Sequence, residues 1–306
     1  MLSLQAPSAA VMIRPHAFAS NPETRDDNAF QTLSGTSANA TSAAARDEHD
    51  QAVRQLRDAG ITVHVFDDFG DLNTPDSVFP NNWFSTHPGG HIAIYPMFVP
   101  SRRRERRTDV IELLKQKYRV QDVIDYSGLE QDNLALEGTG AMVLDHVGRI
   151  AYTVTSNRAD PVLLERFCTH FNYEPIAFEA RDATGRDVYH TNVLMGIGTQ
   201  YALICLDMIP DPDRRATVRD RLEESGRTVI DLTHKQIAEF AGNAIELTGR
   251  DGLVLALSSR ALAALTPDQV VTIRESATPL PLSVPTIETA GGSVRCMIAG
   301  VHLSRR

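Results

Sequence analysis

Apolar and polar positions along the chain switch repeatedly between a helical and an extended period. From Ala43 to Ala59, His49, Ala52, Val53 and Leu56 share one face at helical spacing, and Gly60 stops the run. Ile61 to Phe66 then alternates like a strand. Two further strand-like runs, Ser77 to Thr86 and His91 to Met97, flank Pro88-Gly-Gly90, and a charged helical stretch, Arg102 to Lys117, leads into the strand Val120 to Tyr126. The same order returns. Leu134 to Leu144 and Arg149 to Val154 are strands, Asp160-Pro161 caps and starts a helix, and Glu174 to Glu179 is extended. Val188 to Ile197 and Tyr201 to Leu206 pair, Asp211-Pro212 opens a helix, and Arg227 to Leu232 extends. Ala244 to Thr248 and Gly252 to Leu257 pair, Thr266-Pro267 opens a helix, and Leu282 to Glu288 extends. Gly292 to Leu303 reads as a closing strand able to join Val11 to Pro15, so that one module is split between the two ends of the sequence.

The pattern is a strand–strand–helix–strand unit repeated about five times at a period of roughly 55 residues. No GxGxxG or GxxxxGK[ST] run marks a nucleotide-binding turn. A ring of such units removes exposed sheet edges and places a pocket at its centre. Gln31 to Ala45, rich in Ser, Thr and Ala, is the most irregular stretch and reads either as a surface loop or as a lid over that pocket.

Composition narrows the function. In 306 residues, 42% hydrophobic and 23% charged side chains describe a globular chain, and 30 basic against 39 acidic groups give a net charge of −9, which disfavours a nucleic-acid backbone as the main ligand. No apolar run reaches the ~18 residues of a membrane span, and the first residues lack the basic region of a signal peptide, so a cytoplasmic location is expected. Three scattered cysteines, Cys168, Cys205 and Cys296, form neither a disulfide framework nor a zinc-binding spacing.

Several residues are candidates for chemistry. Cys296 follows small residues in Ala290-Gly-Gly-Ser-Val-Arg-Cys-Met-Ile-Ala299, and Arg295 favours a thiolate if its side chain turns that way. Cys168 and Cys205, among apolar neighbours, read as structural. His190 starts a strand, with Asn192 on the same face by period-two alternation, an arrangement suited to a proton shuttle beside a hydrogen-bonding amide. Glu137 lies in the apolar, Gly-rich Leu134-Ala-Leu-Glu-Gly-Thr-Gly140, where a carboxylate needs a partner. Asn81 and Asn82 precede the only tryptophan, and their neutral amides suit an uncharged polar ligand or a turn. Arg102 to Arg107 holds five arginines in six positions, mostly a solvated helix face, with one or two able to hold a carboxylate; Arg158 is another such candidate. Asn243 sits at a strand start and either faces the centre or forms a turn.

Taken together, Met12-Ile-Arg-Pro15, Asn21-Pro-Glu-Thr24, Phe79-Pro-Asn-Asn-Trp83, Arg103-Arg-Glu-Arg-Arg107, Leu136-Glu-Gly138, His190-Thr-Asn192 and Gly291-Gly-Ser-Val-Arg-Cys296 resemble the guanidine-modifying enzyme superfamily. Arginine deiminase and dimethylarginine dimethylaminohydrolase belong to it, and the nearest resemblance is to the arginine-deiminase-related citrulline-utilisation hydrolases. The likeness runs from about Val11 to Leu303. It implies a single catalytic domain over residues 1–306 with the five-bladed α/β propeller (pentein) fold. It implies Cys296 as nucleophile, His190 as general acid/base, Glu137 as the carboxylate orienting His190, and Arg102 and Arg158 as ligands of a substrate α-carboxylate. It implies no metal or organic cofactor, a small amino-acid substrate, no nucleic-acid or membrane partner, and leaves room for a homodimer.

Two departures point toward a neutral head group. Relatives acting on guanidinium groups carry a carboxylate where Asn82 stands, and deiminases carry an aspartate where Asn192 stands. Amides suit the uncharged ureido group of citrulline, with Asn82 and Asn192 as hydrogen-bonding groups around it and Asn243 as a further candidate. The expected reaction is citrulline to ornithine, ammonia and carbon dioxide. Arginine dihydrolase, arginine deiminase and dimethylargininase activities, transfer to an amine acceptor, and a non-catalytic binding propeller stand as alternatives.

Overall fold

The computed structural model describes residues 4–25, 28, 30–32 and 37–306. Among the described residues, fifteen strands form five three-stranded sheets. The chain runs through β1 (Ala9–Pro15), β2 (Thr62–Asp68), β3 (Phe84–His87), β4 (His91–Ile94) and β5 (Asp122–Asp125). It continues through β6 (Met142–Asp145), β7 (Ile150–Val154), β8 (Glu174–Phe178), β9 (Met195–Ile197) and β10 (Tyr201–Ile204). The remaining strands are β11 (Thr228–Asp231), β12 (Ile245–Thr248), β13 (Leu253–Ser258), β14 (Ala277–Leu282) and β15 (Ala299–Gly300). In every sheet the middle strand pairs antiparallel with one neighbour and, after a helical crossover, parallel with the other. The first sheet is completed from both ends of the chain, because β15 pairs with β1 at Ala10↔Gly300 and Val11↔Ala299. This is the split module that the sequence predicts. Five repeated modules of this kind make the pentein propeller.

The crossover helices start where their caps demand. Asp160 accepts from the backbone N–H groups of Val162 and Leu163, and Pro161 opens Pro161–Phe171. Asp211 and Pro212 do the same for Pro212–Glu224. Thr266 and Gln269 close a capping box at Pro267–Arg274. The apolar faces of these helices pack on their own sheets: Leu163, Leu164 and Phe167 meet Ala151 and Met142, and Val218 and Leu222 meet Leu203 and Ile230.

Several boundaries differ from expectation, for identifiable reasons. The first crossover helix, Ala38–Asp58, begins five residues before Ala43, capped by Ser37, so much of the irregular stretch is helical; residues 33–36 lie outside the described residues. The charged stretch Arg102 to Lys117 is broken into Pro100–Arg103 and Thr108–Lys117. Its arginines are not a solvated face. Arg103 and Arg104 donate to the carbonyls of Met97 and Leu72, Arg106 pairs with Glu130, and Arg102 is buried. The last outer strand is β14, earlier than Leu282 to Glu288, which instead ends in the helical turn Pro285–Glu288. Pro279 and Pro281 mask β14 in the sequence, yet an edge strand tolerates proline because its outward N–H has no ladder partner. Gly292 to Leu303 is not a continuous strand: it holds the helical turn Val294–Met297 and only two residues of strand, Ala299–Gly300. Among the described residues no helix is long and apolar enough to cross a membrane.

Candidate active site

Each sheet is preceded by a short turn that carries polar side chains to the ring centre. These lead-in turns are Pro80–Asn82, Gly138–Ala141, Thr191–Val193, the reverse turn from Phe240 to Asn243, and Val294–Met297. His190 and Glu137 therefore lie at the start of a turn, not within a strand as the alternation suggested. The turns are stitched to one another around the axis. Thr139 Oγ1 donates to the Asn81 carbonyl at 3.2 Å, and Thr191 Oγ1 donates to the Ala141 carbonyl. Asn243 Nδ2 donates to the Asn192 carbonyl at 3.1 Å, and the Arg295 N–H donates to Asn243 Oδ1 at 3.0 Å. Buried hydroxyls and amides satisfied in this way fix backbone that a strand ladder does not hold.

Glycine is required where two turns meet. A Cβ on Gly140 falls 2.1 Å from the Asn82 side-chain amide and 2.9 Å from His190 Nδ1, so its absence lets the amide and the imidazole approach.

Glu137 is fully buried, and its Oε2 lies 2.9 Å from His190 Nε2 while Oε1 accepts from the Phe98 N–H at 3.0 Å. Arg102 Nη1 and Arg158 Nη1 each lie 3.6 Å from the same Oε2. Burial alone would raise the Glu137 pKa, but Arg158, His190 and Arg102 outweigh it and hold the carboxyl well below the usual carboxylate range. Burial lowers the His190 pKa, and the hydrogen bond and charge of Glu137 oppose that shift. Arg158 also stacks over the Tyr189 ring at 4.8 Å. Arg102 forms a bidentate pair with Glu105, both bonds at 2.9 Å. With its amide turned oxygen-first toward Arg102, Asn82 accepts from Nη1 at 2.8 Å and donates to Asn81 Oδ1 at 3.1 Å.

Cys296 is buried, and its sulfur accepts from Asn192 Nδ2 and Asn243 Nδ2, each at 3.2 Å. Cys168 and Cys205 are different: burial pushes their thiols up to about 12 and about 11, as expected of structural cysteines. Cys296, His190, Asn82, Arg102 and Arg158 line a single narrow cleft of about 20 Å³. All eight residues singled out in the sequence thus converge: five line the cleft, Asn192 and Asn243 grip the thiol, and Glu137 backs the imidazole. From the irregular N-terminal segment, Thr24 and Asn28 contribute a wall, and Asn28 Nδ2 is tied to the Ala290 carbonyl at 3.0 Å.

Asp76 and Glu105 were not among the residues singled out from the sequence. Asp76 is buried in the cleft wall, where Oδ2 accepts from Asn21 at 2.9 Å and Oδ1 has no hydrogen-bond partner. Its place in Thr74-Pro-Asp76 reads as an ordinary turn, and the only signal available was the cationic cluster it would have to balance.

A five-bladed α/β propeller with a thiol, an imidazole and a carboxylate at its axis defines the class of guanidino-modifying enzymes. Over residues 14–303 the sequence matches the family described as N,N dimethylarginine dimethylhydrolase, eukaryotic, and the chain belongs to that family of carbon–nitrogen bond hydrolases. No curated protein matches it. Among solved structures, it superposes on the N-terminal domain of ArgZ, a cyanobacterial arginine dihydrolase, crystallised with substrate as a cysteine-to-serine variant (TM-score 0.72, 15% identity, 96% of this chain and 97% of that one). It superposes on unliganded AgrE with a TM-score of 0.73 and 16% identity over 97% of this chain and 40% of that one. The match to the dimethylarginine hydrolase of Pseudomonas aeruginosa in complex with citrulline has a TM-score of 0.63 and 14% identity, over 98% of this chain and 100% of that one. The chain spans 40% of the length of full-length ArgZ and AgrE.

Proposed function

We propose that this protein is a cysteine-dependent hydrolase of a ureido amino acid, with citrulline as substrate and ornithine, ammonia and carbon dioxide as products. The observation that carries the reading is the pair of neutral amides, Asn192 and Asn243, on the Cys296 sulfur, with a third amide, Asn82, in the cleft and no carboxylate hydrogen-bonded to the thiol among the described residues. A guanidinium calls for a nearby anion; a ureido oxygen calls for N–H donors.

In this reading the Cys296 proton passes to His190 and the sulfur adds to the ureido carbon. Asn192 and Asn243 donate first to the sulfur and then to the oxygen that gains charge in the adduct. A carbon–nitrogen bond breaks as His190 returns a proton to the leaving nitrogen. A water deprotonated by the same imidazole then attacks the thiocarbamate, the carbon–sulfur bond breaks to free the thiol, and the carbamic acid released loses carbon dioxide as its remaining carbon–nitrogen bond breaks. Citrulline plus water balances ornithine, ammonia and carbon dioxide. Glu137 holds His190 in one tautomer through Nε2, and Arg102 and Arg158 bind the substrate α-carboxylate from the cleft wall.

A second reading, arginine dihydrolysis to the same products through a ureido stage, draws support from the fold shared with ArgZ and from Asp76, a buried carboxyl in the cleft wall with one unpartnered oxygen. Purified protein supplied separately with citrulline, arginine and dimethylarginine separates the two. Ornithine from citrulline at a rate matching or exceeding that from arginine supports the first reading. Release of free citrulline from arginine, with citrulline itself inert, overturns it.

A further inference from the structure

Behind the lead-in turns the ring axis opens into a second cavity of about 50 Å³, walled by the first strand of every blade, β3, β6, β9, β12 and β15. Its charged and titratable lining is Arg295, His146, His302 and Glu246. Arg295 does not point toward the Cys296 sulfur, as its position in the sequence allowed; its side chain lies in this cavity, with Nη1 donating to the Ile298 carbonyl at 3.1 Å.

The other arginines of the interior are matched by carboxylates: Arg227 by Asp145 at 2.7 Å, Arg102 by Glu105 at 2.9 Å, and Arg158 by Glu137 at 3.6 Å. Arg295 has no ion pair among the described residues. Burial lowers its pKa to about 10, partly offset by the Cys296 sulfur, so it is a cation near neutral pH. Glu246 does not serve as its counter-ion. Its Oε2 is taken up by the Thr199 N–H at 2.8 Å and by the Thr199 hydroxyl, and burial raises its pKa toward the neutral acid. His302 and His146 are held uncharged by burial and by the field of Arg295, and His146 Nδ1 is engaged by the Tyr173 hydroxyl at 2.8 Å. A half-buried cation that faces a cavity with one hydrogen bond and no anion is unfavourable, and the space exceeds the ~10–15 Å³ a single water needs.

We propose that the axial cavity binds a small monovalent inorganic anion, such as a halide, against the Arg295 guanidinium, and that the anion tunes the reactivity of Cys296 from behind. The coupling is short. Arg295 and Cys296 are consecutive on one turn, and Asn243 ties them together, accepting from the Arg295 N–H and donating to the sulfur. A bound anion cancels the cationic field that favours the sulfur anion, so it slows the thiol.

The test uses bromide and chloride as probes. Crystals of the wild-type protein soaked in sodium bromide should show an anomalous-scattering peak beside the Arg295 guanidinium, and Arg295→Gln should abolish it. In solution, alkylation of Cys296 by iodoacetamide, followed by peptide mass spectrometry, should run about threefold slower in chloride than in gluconate at equal ionic strength. The Arg295→Gln protein should show no difference between the two salts. An empty cavity in the wild-type bromide map overturns the site, whether or not the variant folds. A bromide peak with equal alkylation rates in both salts overturns the coupling. Neither readout depends on which substrate the enzyme hydrolyses.

Discussion

Asn243 holds Cys296 from the neighbouring blade: its Nδ2 lies 3.2 Å from the sulfur, while its Oδ1 takes the N–H of Arg295 at 3.0 Å. One amide thus orients the turn that carries the thiol and donates to the thiol itself. Asn243→Asp keeps the acceptor for Arg295 but places a carboxylate beside the sulfur. Alkylation of Cys296 by iodoacetamide should slow at least tenfold and turnover should be lost, with the thermal midpoint nearly unchanged. An alkylation rate equal to wild type contradicts the assignment.

Glu137 is the second residue whose replacement is informative. Glu137→Gln retains the acceptor for the Phe98 N–H but turns the charge that faces His190 and two guanidinium groups into a neutral amide. We expect kcat to fall by ~10²–10⁴-fold, the range typical of lost general acid–base function. Stability should fall by about 3–5 kcal/mol, because Arg102 and Arg158 lose a buried counter-charge. Steady-state kinetics and denaturant unfolding read the two effects separately. A stable variant with wild-type kcat removes Glu137 from the mechanism.

Gly140 tests the packing of the centre. A methyl group there overlaps the Asn82 side-chain amide and crowds His190 Nδ1, so Gly140→Ala must displace one of them. Activity should drop by about a hundredfold, and the stability loss should stay within about 1–3 kcal/mol, the usual range for overpacking. Activity within twofold of wild type shows that the amide and imidazole do not need this close approach.

The modular plan of the fold was legible because three of the five crossover helices carry a start signal, Asp160-Pro161, Asp211-Pro212 and Thr266-Pro267, and each of these is followed by a β-branched or apolar run. The lead-in turns were not. Helices of three or four residues are too short to show a 3.6-residue period, so Leu136-Glu-Gly138 and His190-Thr-Asn192 looked like the strands they precede. The catalytic candidates stood out only as a spaced set, since each alone has an ordinary structural explanation. Asp76 escaped because a buried charge is recognised by its neighbours in space, and Arg102 meets it only in the folded chain; Glu105, three residues from Arg102, was hidden among five arginines that looked alike in the sequence.

Acid should destabilise the protein through its buried histidines. His49, on the inner face of the helix Ala38–Asp58, is fully buried, and neither ring nitrogen has a hydrogen-bond partner. Burial lowers its pKa from 6.5 to about 4. Between those values the unfolded chain binds a proton that the folded chain refuses, so stability is complete above about pH 6.5 and declines as pH falls toward 4. The loss from this group approaches roughly 3 kcal/mol. His302, also lowered to about 4, acts in the same direction. Unfolding midpoints at pH 7 and pH 5 should differ less in His49→Leu than in the wild-type protein; an equal difference excludes His49 as a contributor.

Asn82 bears on substrate choice. Asn82→Asp would place an anion in the cleft beside Arg102, favouring a guanidinium over a ureido group. The ratio of kcat/KM for citrulline to that for arginine should fall by about tenfold or more. A ratio unchanged by the substitution means that the head group is chosen elsewhere.

The most direct test of the account is the covalent intermediate. Wild-type protein turning over citrulline is quenched in acid and digested, and the peptide containing Cys296 is weighed. We predict a mass increase matching a thiocarbamate on Cys296, absent with Cys168 and Cys205 and absent without citrulline. Continued conversion of citrulline by Cys296→Ala, with no adduct on the wild-type thiol, would contradict the mechanism at its first step.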